Sequence, residues 1–293
     1  MRLLLRIIRI TVASLVALVL TAVMVLYALT EPGLRKRHTI TPHPITLPRD
    51  SAPIAEGERL AAIRGCTGCH GEKGQGDVFV DEFLIGRVVS ANLTIAVREY
   101  SNEQLEAIIR QGVRPDGRSV VAMPSEMFSV LTDEDLGKII AYLRSLPPAE
   151  GNERARRLGP MARLAFVLGE FRPTVEGVRA ARALTSSFPA APDAIAHGAY
   201  LARTVCSECH GLDLRGHHGN LGGTIPDLVI VAAYPRENFN RLMRTGIALG
   251  DRELREPMSR VARRRFSRFT DAEIADLYDY LVARTRTVSQ AGR

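Results

Sequence analysis

Cys66-Thr67-Gly68-Cys69-His70 has the residue types and spacing to do chemistry, and Cys206-Ser207-Glu208-Cys209-His210 repeats it 140 positions later. Together the two stretches hold all four cysteines of the chain. On a helical turn, residues three and four apart share a face. Two thiols so placed reach the two vinyl groups of one porphyrin and form thioethers. The adjoining histidine then lies beneath the iron and supplies the proximal nitrogen. C-x-x-C-H is therefore read as a c-type haem attachment site. A dithiol redox pair would want a βαβ context, which the pattern lacks, and a zinc site would want closer pairs.

Each iron needs a sixth ligand, or must leave that position open for reaction. In the first half, Met123 and Met127 are the candidates. Pro124 biases Met123 toward an extended backbone, suited to reaching across a haem face, whereas Met127 reads as apolar packing. In the second half, Met243 falls inside an expected helix over 236–245. Met258 follows Pro257 and stands before the last helix, as Met123 does. The expected ligand pairs are His70 with Met123 and His210 with Met258. His217 and His218 read as exposed loop residues, although neutral imidazole binds iron well.

The elements that must position these residues repeat in order. A helix from Ile54 to Arg64 runs into the first motif, and the glycine-rich turn 71–76 follows it. Ser101-Asn102-Glu103-Gln104 resembles a capping box opening a helix through Arg110, with Gly112 as its stop. Thr132 caps a final helix whose Leu136, Ile139, Ile140 and Leu143 share one face. In the second half, Gly57 is answered by Gly198, Tyr100-Ser101 by Tyr234-Pro235, and Gly112 by Gly246. A second capping box, Thr270-Asp271-Ala272-Glu273, opens a helix with Ile274, Leu277, Tyr278 and Leu281 in the same register. A whole unit has been duplicated. The expected units are 51–148 and 191–288.

Ahead of them, Ile10 to Thr30 is a run of 21 uncharged residues, long enough to span a bilayer as a helix. It reads as a retained anchor over 1–30, not a cleaved leader, because the run is long and no A-x-A site stands near its end. Arg2, Arg6 and Arg9 precede the run, and Arg35, Lys36 and Arg37 follow it, so charge leaves the orientation nearly tied. Haem attachment breaks the tie, since it takes place outside the bacterial cytoplasm. The expected location is the inner membrane, with the haem domains in the periplasm. Residues 31–50, with Pro42, Pro44 and Pro48, read as a semi-rigid tether, and His38 and His43 as solvated residues on it. Residues 149–190 read as an interdomain linker. Its apolar stretch from Leu158 to Phe171 is too short to span a membrane and is expected to dock between the haem units, with a membrane-surface position as the second choice.

Composition narrows the function classes. The chain has 293 residues, 46% hydrophobic, with no tryptophan, which suits two domains of about 100 to 150 residues each. Net charge is +7, split as +5 over 1–50, −5 over 51–150, +4 over 151–190 and +3 over 191–293. Much of the excess is membrane flank and linker, so nucleic acid is not an expected partner. Arg260, Arg263, Arg264, Arg265 and Arg268 crowd one segment. Such a run reads as a solvated face or as charge near haem propionates, or else as a docking surface for an acidic partner.

Arg114-Pro115-Asp116-Gly117, Ala122-Met123-Pro124 and Leu131-Thr132-Asp133-Glu134-Asp135-Leu136 resemble the membrane-anchored, multi-haem cytochrome c subunits of periplasmic alcohol and gluconate dehydrogenases. Arg265-Phe266-Ser267-Arg268-Phe269-Thr270-Asp271 carries the same resemblance in the second copy. Those subunits usually hold three haem domains, and this chain has two motifs. The resemblance implies an all-α fold of two tandem cytochrome c domains behind a transmembrane helix, with two covalently bound haems c. The implied role is electron transfer, from a dehydrogenase or quinol-linked donor toward a terminal oxidase or soluble acceptor, without transformation of substrate. A catalytic dihaem protein of the peroxidase type is the alternative, and a methionine placed in each copy argues against it. A subunit of an oxidase complex is a third reading.

Overall fold

A computed structural model describes residues 1–151, 155–170, 172–187, 193–218 and 223–291. The chain is mostly helical. Helix α1 (Arg2–Arg35) comes first, and only its C-terminal part packs on the rest, against the segment after the first unit. Its 34 residues reach a mean hydropathy of 2.6 over their most apolar window, none of which is buried by the protein. At 1.5 Å per residue, the 10–30 run alone extends about 30 Å, the thickness of a hydrocarbon core.

The first haem-motif unit contains α2 (Ser51–Ile63), α3 (Cys66–His70), strands β1 (Val78–Glu82) and β2 (Gly86–Val89), then α4 (Leu93–Glu99), α5 (Asn102–Glu106), α6 (Ser125–Phe128) and α7 (Asp133–Ser145). Strand β3 (Arg157–Leu158), α8 (Pro160–Val167) and α9 (Thr174–Ser187) come next. The second unit holds α10 (Asp193–Leu201), α11 (Ser207–His210), β4 (His217–His218), β5 (Thr224–Ile225), α12 (Arg236–Thr245), α13 (Met258–Arg264) and α14 (Asp271–Ala291).

The duplication is visible in how the helices cross. A Cβ added at Gly57 would stand 2.1 Å from the Lys138 carbonyl oxygen, and one added at Gly198 would stand 2.0 Å from that of Asp276. Each glycine lets the first helix of its unit press onto the backbone of the last, α2 on α7 and α10 on α14. Leu60, Ala61, Leu136, Ile139, Ile140 and Leu143 are buried in the first cluster. Leu201, Ala202, Ile274, Leu277 and Leu281 are their counterparts in the second. The final helices start where the caps predict: Thr132 Oγ1 accepts from the Asp135 N–H at 3.1 Å, and Thr270 Oγ1 from that of Glu273 at 3.1 Å.

Several expectations change. The capping box is formed by Ser101 and Gln104, but regular α-helix ends at Glu106 and a π-helical turn covers Ala107–Gln111 before Gly112 turns the chain left-handed at φ 68°. A second π-helical turn, Ala202–Cys206, leads into the second motif. Two small antiparallel sheets, β1-β2-β3 and β4-β5, went unforeseen. Residues 31–50 do not hang free as a tether. His38 N–H donates to the Gly117 carbonyl at 2.7 Å, His43 Nε2 lies 3.1 Å from both Asp133 carboxylate oxygens, and Ile45 is buried in the first core. The prolines keep the segment extended, and Ile45 gives it something to bury.

The apolar stretch beginning at Leu158 is also elsewhere than expected. Helix α8 packs on α1, with Phe166 against Gly33. It is α9 that reaches the seam, where Ala181 and Leu184 line a crevice with Met127 of the first unit and Arg203 and Leu212 of the second. Phe171 lies outside the described residues.

Candidate functional site

The first motif begins with a sharp turn. Gly65 has φ 80° and caps α3, and a Cβ there would meet the Arg265 guanidinium carbon at 2.9 Å. Only glycine both adopts that conformation and admits the second unit so closely. The five-residue helix α3 puts Cys66, Cys69 and His70 on the wall of a cavity of about 390 Å³. Its other walls are mainly apolar and include Phe79 and Val89 from the hairpin, Val97 from α4, Phe128, Ile139 and Leu143. Met123 also lines it. Met127 does not; it is 1% exposed and belongs to the core.

Both histidines are oriented by the backbone. His70 Nδ1 lies 2.7 Å from the Ala91 carbonyl oxygen, and His210 Nδ1 lies 2.9 Å from that of Pro226. A carbonyl can only accept, so Nδ1 carries the proton and Nε2 keeps its lone pair. A carbonyl or carboxylate behind the imidazole is the usual support of a metal-binding histidine. Burial holds both imidazoles below the ordinary histidine range, the neutral form a metal ligand requires.

Thiol chemistry separates the competing readings. Burial pushes the Cys66 thiol up to about 11 and the Cys206 thiol up to about 12, and raises Cys69 and Cys209 as well. A redox-active dithiol needs a lowered thiol pKa, so these surroundings disfavour it. Among the described residues, no three His, Cys, Asp or Glu side chains converge as a metal site.

Does the cavity fit a haem? Arg64 lines it and is 1% exposed in its side chain. Its Nη2 donates to Asp135 at 2.7 Å, yet its Nε and Nη1 are buried without a partner. Orphaned buried donors are costly, and an acidic cofactor would satisfy them. Arg114 and Arg156 line the same cavity. Burial, then the charges of Arg114 and Arg118, hold Arg156 below the ordinary arginine range. Positive charge here exceeds what Asp116 neutralises. Two thiols, a neutral imidazole, a thioether, apolar walls and surplus guanidinium groups fit a porphyrin with carboxylate substituents. Arg156 comes from the segment after the first unit and had no sequence signal beyond its basic neighbours.

The thioether is held by that segment too. Thr174 Oγ1, at the start of α9, donates to the Met123 carbonyl at 3.1 Å. The Val175 N–H donates to Ser119 Oγ at 3.2 Å. In the second unit, Met258 opens α13 and, with Cys206, packs against the second core cluster, whereas Met243 is buried within it. His217 and His218 are exposed on β4.

The two motifs are neighbours. Burial dominates all four thiols, and in each the positive charge of Arg265 opposes it. Arg265 donates from Nε to the Ile63 carbonyl at 2.9 Å and from Nη1 to Glu208 at 2.7 Å. Glu208, between the cysteines of the second motif, also lines the first cavity. The other four arginines of the run, Arg260, Arg263, Arg264 and Arg268, stay exposed. Arg265 is internal, Arg260 pairs with Glu256, and Arg263 pairs with Glu253 and Glu256.

Comparison with known proteins gives a consistent picture. Residues 52–143 match the family described as cytochrome c oxidase, cbb3-type, subunit III, and residues 195–285 match the family described as cytochrome c. The gluconate 2-dehydrogenase cytochrome c subunit of Pantoea cypripedii is 29% identical over 179 residues, 55% of this chain and 38% of that protein. The fructose dehydrogenase cytochrome subunit of Gluconobacter japonicus is 30% identical over 132 residues, 42% of this chain and 26% of its own. The cytochrome c subunit of the quinone alcohol dehydrogenase of Gluconobacter oxydans (strain 621H) is 27% identical over 196 residues, 59% of this chain and 39% of its own. The matches thus cover well under half the length of these relatives.

Proposed function

We propose that the chain, with two cytochrome c domains of the kind that bind haem c covalently, is a membrane-anchored dihaem electron carrier facing the periplasm. The observation that carries this reading is the convergence of Cys66, Cys69, His70 and Met123 on one cavity with unsatisfied guanidinium donors in its wall.

In this reading, Cys66 and Cys69 hold the first haem as thioethers, and Cys206 and Cys209 hold the second. The Nε2 atoms of His70 and His210 and the sulfurs of Met123 and Met258 would hold the two irons. The haem supplies a one-electron iron couple, and His/Met ligation sets it high. The protein's part is to fix ligands and exclude water. The Ala91 and Pro226 carbonyls orient the imidazoles, Thr174 anchors the Met123 loop, and the apolar walls keep the dielectric low. The Arg265 bridge, to the Ile63 carbonyl and to Glu208, keeps the two attachment helices adjacent, which would let haems held there exchange electrons inside one chain.

The printed names of the relatives favour a dehydrogenase as electron donor. A terminal oxidase or a soluble carrier is the acceptor. The inner membrane is the site of anchoring through α1, in accord with its length and apolar character.

The stoichiometry is tested by haemochrome assay of the purified full chain. Two haems c per polypeptide are expected, and one after Cys206 and Cys209 are both replaced by alanine. A wild-type value of one contradicts the dihaem reading.

A further inference from the structure

Single exposed apolar side chains are ordinary on a protein surface, but a contiguous patch is not. One lies where α1 meets the first haem unit. The hairpin tip joining β1 to β2 is Phe83-Leu84-Ile85, all exposed, with Phe83 at 83%. Beside it, α8 and its end expose Met161, Leu164, Val167 and Leu168, spaced along one helical face. The backbone joins the two groups: the Gly159 N–H donates to the Ile85 carbonyl and the Met161 N–H to the Leu84 carbonyl, each at 2.9 Å.

The opposite side of α8 is stapled to α1. Arg163 donates to Thr30 Oγ1 at 2.7 Å, pairs with Glu31 at 2.7 Å, and stacks its guanidinium 4.0 Å from the Tyr27 ring centre. Thr30 is fully buried by this contact, and it is the last residue of the uncharged run. The patch therefore sits level with the end of the membrane-spanning stretch. Of its neighbouring charges, Glu31 pairs with Arg163 and Asp81 with Arg87, while Glu82 stands exposed beside Phe83. Arg35, Lys36, Arg37 and Arg157 are exposed close by in the chain, as suits contact with phosphate headgroups.

We propose that the 83–85 tip and the outer face of α8 form a second membrane contact, seated in the boundary between headgroups and acyl chains beside the exit of α1. The inference rests on reading α1 as a membrane span. Continuity with that span is what selects lipid over a protein partner. The same hairpin carries Phe79 and Val89 in the wall of the first haem cavity. The contact thus fixes the first haem unit close to the membrane surface rather than leaving it on a swinging anchor.

Nitroxide labels report the depth directly. The native cysteines are consumed as thioethers, so one introduced cysteine is the reactive thiol. Phe83→Cys, Leu164→Cys, Leu18→Cys and Glu237→Cys are each labelled in the full chain and reconstituted into phosphatidylethanolamine–phosphatidylglycerol vesicles. Each label is also measured under nitrogen with neither collider, so that relaxation by the haem irons is subtracted. Collision with oxygen, which concentrates in lipid, is compared with collision with a water-soluble nickel chelate. The labels at 83, 164 and 18 should favour oxygen several-fold, and the label at 237 should favour nickel. If 18 lies in lipid while 83 and 164 favour nickel like 237, the second contact is refuted and the span stands. If 18 also favours nickel, the span itself is refuted and the contact with it. Labels at 83 and 164 that are wet in vesicles, and lose both quenchers only when a dehydrogenase partner is added, assign the patch to protein docking and overturn the proposal.

Discussion

Met123→Ala lowers the potential of the first haem and opens its iron to carbon monoxide. The shift is on the order of tenths of a volt, within the roughly 0.8 V that axial ligation commands. A thioether stabilises Fe(II), and alanine leaves water or nothing in its place. Met127→Ala changes neither property, because Met127 is packed in the core away from the cavity. It instead costs about 2–5 kcal/mol of stability as a cavity-forming change. Thr174→Val separates ligation from positioning. It removes the bond to the Met123 carbonyl without touching the sulfur, so the iron stays coordinated while the loop loosens, and the thioether-to-iron absorption band weakens on mild heating. Redox titration and carbon monoxide difference spectra of the three variants check this. Carbon monoxide binding by Met127→Ala, or none by Met123→Ala, reverses the assignment.

Asp135→Ala destabilises the first domain by about 1.5–3 kcal/mol, the cost of losing a charge-assisted hydrogen bond to a buried guanidinium whose other donors face the haem cavity. Arg64 is 1% exposed and meets the Asp135 carboxylate at 2.7 Å. The Tyr200 hydroxyl, from α10 of the second unit, donates to the same carboxylate at 2.6 Å. The knot thus ties α2, α7 and α10 together across the seam. Tyr200→Phe removes one neutral donor and costs about 1 kcal/mol. Denaturant unfolding followed by helical signal measures both variants in the haem-loaded chain. Equal, small effects from the two would mean that Arg64 finds compensation elsewhere.

The attachment motif of each unit was legible because C-x-x-C-H is local. The thiols and the imidazole fall on one short helix whatever surrounds them. The capping boxes were legible for the same reason, since Ser101 and Thr270 act within one turn. Glycine correspondence at 57 and 198 announced the duplication, and the helix crossings explain it.

What stayed hidden depends on distant contacts. Nothing near Ile45 says that an extended, proline-punctuated segment will lie along α7 and bury that one side chain. Nothing in Leu158-Gly159-Pro160-Met161 says that it will pair with a hairpin and pack on the anchor rather than fill the seam. Arg265 looked like one member of a charge run, and only the fold shows its guanidinium between the two haem motifs. The hairpin at 78–89 was missed because its tip is as apolar as its strands, which blurs the alternation that marks a half-buried strand.

The central claim is that two His/Met-ligated haems in one chain each carry one electron. Potentiometric titration of the full chain in lipid, followed by magnetic spectroscopy, tests it most directly. The account predicts two one-electron transitions of equal amplitude, both from low-spin ferric iron, with no high-spin signal in the oxidised protein. A single transition, or a high-spin ferric signal from one of the irons, would contradict it.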